Sequence, residues 1–167
     1  MLSLGERLLS RISERVFVLT LLWIGFLFAI SFMATPLKFQ APSLTLPVAL
    51  EIGYIVFHAL NALELGLATT IITIVLLTDW PRRIRVLTFL IGALLATQTV
   101  LLYTVLDART IAIIHGLELP ERSFHSYYVA LEGVKLVLLL YLAYLQIEEY
   151  DASIRKTARV APETTCD

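Results

Sequence analysis

The chain has 167 residues, of which 58% are hydrophobic and only 16% are charged, and its formal net charge is −1. Soluble domains contain about 45–50% apolar and about 25% charged residues, so the mean hydropathy of +0.81 excludes a disordered chain and favours an integral membrane protein. The balanced charge argues against nucleic-acid binding, and a single cysteine excludes an intramolecular disulfide framework.

The first predicted element is a short amphipathic helix over residues 1–15. Ser3 and Glu6 have the spacing of a helix capping box. Leu4 and Leu8 then share one face with other apolar side chains, while Arg7 lies off that face. Such a helix is expected to lie on the cytoplasmic surface of the membrane.

Four apolar segments follow, and each is long enough to cross about 30 Å of hydrocarbon. The predicted spans are 16–34, 47–78, 86–106 and 121–147. The sequence therefore predicts an all-α fold, an integral membrane four-helix bundle that occupies residues 16–150. Residues 151–167 form a polar segment, which is predicted to be a frayed cytoplasmic tail.

The distribution of Lys and Arg predicts the orientation of the bundle. Nine of these residues flank the N-terminus, the middle loop and the C-terminus, whereas three lie in the other two loops. Because cytoplasmic flanks carry the excess of positive charge, both termini are predicted to be cytoplasmic, in a bacterial inner (plasma) membrane. Loops 35–46 and 107–120 then face outside.

Two of the predicted helices carry polar side chains at spacings of three and four residues, which place each set on one helix face. The first set is Glu51, Tyr54, His58 and Asn61, and the second set is His125, Tyr128, Glu132 and Lys135. Ionisable residues are costly inside a membrane, and they normally face the bundle interior or a water-filled cavity. These two faces are therefore the candidate binding surfaces.

Depth estimates place the polar residues of three helices in one layer. At 1.5 Å per residue from the cytoplasmic ends, Glu64 lies about 21 Å deep, Gln98 about 18 Å, Lys135 about 18 Å and Glu132 about 23 Å. The sequence thus predicts an outward-facing polar pocket sealed below by apolar residues. Lys135 needs a counter-charge at that depth, and the candidates are Glu132 and Glu64.

Three functions are compatible with this pattern. The favoured hypothesis is binding or permeation of a small polar solute, ion or proton, with no cofactor and no enzymatic activity. One alternative is a structural or assembly subunit of a larger membrane complex. The other is a redox protein that binds metal or haem through His58 and His125, since imidazole is a common ligand for both.

The expected partners follow from the same features. The lipid bilayer surrounds the spans, and no nucleic acid is expected. Small residues at a spacing of four, such as Gly66 and Thr70, allow membrane helices to approach closely. They serve either the bundle itself, a homo-oligomer or a contact with a partner protein.

Several short motifs carry a resemblance to a family of proteins. They are Trp23-Ile-Gly25, Ala34-Thr-Pro36-Leu-Lys-Phe39, Leu46-Pro47 ahead of Gly53 and Phe57, and Phe124-His125 with Tyr128. Over residues 16–147 the chain resembles small bacterial four-span membrane proteins of unknown function, which are related to the transmembrane-protein-205 group. The resemblance implies the four-helix topology and the outward placement of the first loop, and it implies no reaction or catalytic residues.

Overall fold

A computed structural model describes residues 15–117 and 124–160, with side chains described over 15–117 and 126–155. It contains four long helices, α1 (Val16–Lys38), α2 (Leu46–Leu77), α3 (Arg82–Ile114) and α4 (Phe124–Val160). The all-α fold class is confirmed. The predicted N-terminal amphipathic helix lies outside the described residues, apart from Arg15.

The four helices run alternately up and down around a common interior. Each helix packs against its neighbours in sequence, and α1 also packs against α4, so the bundle closes into a ring. We call the end where α1 passes into α2 and α3 into α4 the loop end. The opposite end carries Val16 and the short connection at 78–81.

Two stretches of π-helix interrupt the regular α-helical geometry, at Phe28–Ala34 in α1 and at Leu102–Leu106 in α3. The first precedes Pro36, which lacks an N–H and whose ring crowds the carbonyl four residues earlier. Thr35 donates to the carbonyl of Ile30 at 2.8 Å in this region. Both π-helical stretches lie towards the loop end, and such turns are frequent at functional sites.

Helix α3 ends later than the sequence predicts. The predicted span stops at residue 106, but the helix continues to Ile114, so residues 107–114 are helical and do not form a loop. Gly116 then adopts a φ of 82°, and the N–H of Leu117 bonds to the carbonyl of Ala112, as in a Schellman motif. A glycine is suited to this left-handed position because it has no Cβ.

Helix α4 also extends further than predicted. It runs through Val160, so the first part of the predicted polar tail, 151–160, is helical. Residues 161–167 lie outside the described residues.

The surface of the bundle is rich in exposed aliphatic and aromatic side chains, such as Leu76 and Val137. Helices this long and apolar, with apolar side chains turned outward, make the chain a multi-pass membrane protein in a lipid bilayer.

The apolar core fills the half of the bundle opposite the loop end. Trp23, Leu27, Ile71, Ile91 and Leu139 are each at most 2% exposed and belong to one cluster. Above this core, towards the loop end, the interior becomes polar.

Candidate functional site

The centre of the polar interior is an ion-paired triad. The Lys135 ammonium lies 2.7 Å from Glu64 Oε1 and 2.9 Å from Glu132 Oε1. Lys135 is 0% exposed, and each glutamate is 1% exposed. Both predicted counter-charges are therefore present. The contact with Glu132 is made within α4, whereas the contact with Glu64 crosses the bundle from α4 to α2.

The other helices donate hydrogen bonds to the two carboxyl groups. Trp23 of α1 donates its indole N–H to Glu64 Oε1 at 2.8 Å. Gln98 of α3 donates to Glu132 Oε1 at 2.8 Å, and Ser31 of α1 donates to Glu132 Oε2 at 3.2 Å. Tyr128, one turn before Glu132 on α4, is buried beside that carboxyl group. Asn61 of α2 lies one turn before Glu64 and donates to Thr99 of α3 at 2.9 Å. We call this pair and the side chains around the triad the buried cluster; it comprises Trp23, Ser31, Asn61, Glu64, Gln98, Thr99, Tyr128, Glu132 and Lys135.

If all three side chains of the triad were ionised, their charges would not cancel. Two ionised carboxylates and one ammonium leave one uncompensated negative charge in the triad. Isolated buried charge is strongly unfavourable because water no longer solvates it. The triad therefore favours acquisition of one further positive charge, either a proton or a bound cation.

Three oxygen atoms of the buried cluster have no hydrogen-bond donor among the described residues. They are Glu64 Oε2, Gln98 Oε1 and Asn61 Oδ1. All three are acceptors, and their residues are at most 1% exposed. Buried acceptors are normally paired, so this region is short of hydrogen-bond donors.

The indole of Trp23 is expected to contribute measurably to stability through its contact with Glu64. Replacing Trp23 with Phe removes a hydrogen bond to a buried carboxyl group, and such a bond contributes about 0.5–1.5 kcal/mol. Trp80→Phe is the control, because Trp80 is also buried but its Nε1 has no partner among the described residues. Unfolding in detergent should show Trp23→Phe to be the more destabilising change. Equal effects of the two changes would mean that the indole contributes by packing alone.

A cavity lies beyond the buried cluster, at the loop end between α1, α2 and α3. Its volume is about 170 Å³, and its lining is mainly apolar. The polar exceptions are Thr35, Lys38, Tyr54, Asp107 and Thr110. Phe57 also lines this cavity. Its ring lies edge-on to Tyr128 with centroids 6.0 Å apart. The two rings thus connect the cavity lining to the buried cluster.

His58 forms a separate pair at the same end of the bundle. Its Nε2 lies 3.0 Å from Asp107 Oδ2, and its Nδ1 lies 2.7 Å from the carbonyl oxygen of Tyr54. The π-helical turns of α3 immediately precede Asp107. Because both ring nitrogens of His58 are engaged, the imidazole offers no free nitrogen to a metal in this conformation.

The ten predicted site residues therefore fall into separate places. Asn61, Glu64, Gln98, Tyr128, Glu132 and Lys135 meet in the buried cluster. Tyr54 lines the cavity and His58 pairs beside it, whereas Glu51 is exposed and belongs to neither. The His125 side chain lies outside the described side chains. The predicted single polar pocket is thus divided into a sealed cluster and a mainly apolar cavity.

Several contributors were not predicted. Trp23, Ser31, Thr99 and Asp107 all contact predicted site residues. Thr20, Trp23 and Ser31 lie three and eight residues apart and share one face of α1. None of them is ionisable, so this spacing alone does not distinguish a buried face from a lipid-facing one. Thr20 itself donates to the buried Gln146 of α4 at 2.8 Å, further from the loop end.

Histidine, cysteine, aspartate and glutamate do not gather into a group of three suitable for a metal within the described part of the chain.

No family model, curated protein or solved structure matches the sequence. The function must therefore be inferred from the geometry of the buried cluster.

Proposed function

We propose that this membrane protein binds a small polar solute, ion or proton at the buried cluster and allows it to permeate from the outward-facing loop end. The observation that carries the proposal is the triad of Lys135, Glu64 and Glu132, which is completely buried and contains two acidic groups for one basic group. Ionisable groups inside membrane bundles commonly lie on ion pathways and proton relays.

A purely structural role explains the triad less well. Buried ion pairs are often no more stabilising than apolar residues of similar size, because removing charges from water is costly. A subunit that served only in assembly would gain little from one lysine and two glutamates in its interior. An uncompensated charge is useful, however, where a second charged species must bind and leave.

The access route in this proposal begins at the cavity. In the orientation that the distribution of Lys and Arg indicates, with both termini cytoplasmic in a bacterial inner membrane, the loop end faces outside. Lys38 and Asp107 supply polar groups at the cavity, and the rings of Phe57 and Tyr128 separate it from Glu132. In this proposal, a movement of these two rings connects the cavity to the triad.

Flux measurements in proteoliposomes test the proposal. Gradients of protons, sodium, potassium and chloride are applied one at a time, and Cys166, the single cysteine, reports the protein's orientation through an impermeant maleimide. We expect at least one gradient to dissipate through the protein. We expect Glu132→Gln to reduce that flux at least about tenfold, which corresponds to a loss of about 1.4 kcal/mol of binding free energy at the site.

Glu51→Gln is the matched control, because it makes the same chemical change at an exposed position near the loop end. This variant should retain the flux of the unmodified protein. Equal flux through the Glu132→Gln and unmodified proteins, or dissipation of none of the gradients, would contradict the proposal.

A further inference from the structure

We propose that the ion bound by the buried cluster is a single proton, held on Glu64 Oε2 and donated in a hydrogen bond to the side-chain oxygen of Asn61. This inference deepens the proposed function and rests on it. Protonation forms one O–H bond with a proton taken from hydronium in the adjoining solution, and no bond in the protein breaks. The triad then holds one carboxylate, one carboxylic acid and one ammonium, and its charge is balanced.

The amide orientations in the buried cluster are determined by their partners. Thr99 donates its hydroxyl proton to the carbonyl of Leu95 at 2.9 Å. Its oxygen is then an acceptor for Asn61 Nδ2, also at 2.9 Å. Asn61 must therefore use its NH₂ group here, and its Oδ1 is left as an acceptor without a donor.

The same reasoning applies to Gln98. Its Nε2 donates to Glu132 Oε1, and this oxygen also accepts from Lys135. An ionised carboxylate cannot donate, so the Gln98 amide cannot be reversed. Gln98 Oε1 is consequently a second buried acceptor without a donor. Both amides therefore present to the buried cluster an oxygen atom that has no donor among the described residues.

Glu64 is the carboxyl group that is better suited to hold the proton. Glu132 accepts hydrogen bonds on both of its oxygens, from Lys135, Gln98 and Ser31. Such bonds favour its ionised form. Both donors to Glu64, in contrast, contact Oε1, and no donor within the described part of the chain reaches Oε2. A proton on Oε2 would supply the missing donor, and Asn61 lies one turn earlier on the same helix face.

The remaining groups around Glu64 do not offer another source of positive charge. In the described residues, α1 contributes the neutral Trp23 and Ser31, and α3 contributes the neutral Gln98 and Thr99. On α4 the titratable groups near Glu64 are Tyr128, Glu132 and Lys135. His58 lies six residues before Glu64 on α2 and is paired with Asp107.

A proton is favoured over a metal cation for two reasons. Lys135 already occupies the position between the two carboxyl groups, and a second cation beside this ammonium would be repelled with little solvent screening. Metal cations also require several oxygen ligands at once, whereas a carboxylic acid needs one acceptor. The buried cluster offers that single acceptor next to Glu64.

Infrared difference spectroscopy on the full chain in lipid vesicles tests the inference. At neutral pH we expect the carbonyl band of one protonated carboxylic acid per chain, which shifts in deuterated water. Glu64→Gln and Glu132→Gln should each abolish the band, since either change leaves one carboxylate paired with Lys135. Glu51→Gln should leave the band unchanged.

Two further variants assign the proton to one carboxyl group. Asn61→Leu should shift the band because it removes the proposed acceptor, whereas Ser31→Ala, which alters the surroundings of Glu132, should not. These changes retain the triad, so they remain informative if Glu64→Gln fails to fold. A shift with Ser31→Ala alone would move the proton to Glu132 and overturn the assignment.

Other results would overturn the inference directly. They are the absence of an acid band at neutral pH, its persistence in Glu64→Gln, or its loss when sodium or potassium is added at constant pH. The outcomes are separable from the proposed function: flux without the acid band would retain permeation with another ion. An acid band without flux through any gradient would retain the proton site and contradict permeation.

Discussion

Replacement of Lys135 with Met is expected to lower the free energy of unfolding by about 3–5 kcal/mol, the usual effect of removing one partner from a buried ion pair. The variant leaves Glu64 and Glu132 without their shared ammonium, at positions that are 1% exposed. A carboxylate left without the ammonium must then remain charged in a low-dielectric interior or become protonated. Both outcomes raise the free energy of the folded state relative to the original protein.

Arg83→Met is the matched control, since it removes a positive charge from an ion pair at the surface. Arg83 lies 3.0 Å from Glu149, but its side chain is 53% exposed, and exposed pairs contribute at most about 1 kcal/mol. Unfolding in mixed micelles of a mild detergent and dodecyl sulfate, followed by circular dichroism, measures both changes. Equal destabilisation by the two substitutions would show that burial of the triad has no energetic consequence.

The meeting of Glu64, Gln98, Glu132 and Lys135 was predictable from the sequence because a helix rises by a constant amount per residue. Once the four spans are located, counting from their ends orders the side chains by depth. Ionisable side chains also rarely face lipid, which predicts that they turn inward. Depth and facing together were sufficient to place these four residues in one layer.

The contribution of α1 could not be deduced in the same way. This helix contains no charged residue before Lys38, and apolar side chains surround it on all sides, so hydropathy does not distinguish its interior face. Trp23 is equally compatible with lipid and with a buried hydrogen bond. Its role depends on Glu64 of the adjacent helix, and that tertiary contact has no local signature.

The position of Asp107 depends on backbone geometry that could not be predicted from the sequence. The π-helical turns at Leu102–Leu106 change the number of residues per turn, so the side chains that follow are displaced around the helix axis. No proline lies within this stretch to indicate the change. Residue 107 was therefore predicted to begin an outside loop, whereas it is helical and pairs with His58.

Removal of all three charges is expected to reverse most of the damage caused by Lys135→Met alone. The triple variant Glu64→Gln, Glu132→Gln and Lys135→Met contains no ionised group in the triad. Trp23 and Gln98 retain oxygen acceptors on the new amides. Because neutral replacement of a whole buried ion-pair network is often tolerated, we expect it to be at least about 2 kcal/mol more stable than Lys135→Met.

Flux should not recover together with stability. The triple variant has lost both carboxyl groups, so in the proposed function it has no site for a charged species, and its proteoliposomes should match protein-free vesicles. Comparison of the triple variant with Lys135→Met, Glu64→Gln and Glu132→Gln in a mutant cycle gives the coupling energy between the charges. If the triple variant is as unstable as Lys135→Met, the lysine stabilises the bundle through packing of its aliphatic stem. If instead it is stable but retains flux, the charges of the triad are not the permeation site, and the cavity at the loop end becomes the part of the molecule to examine.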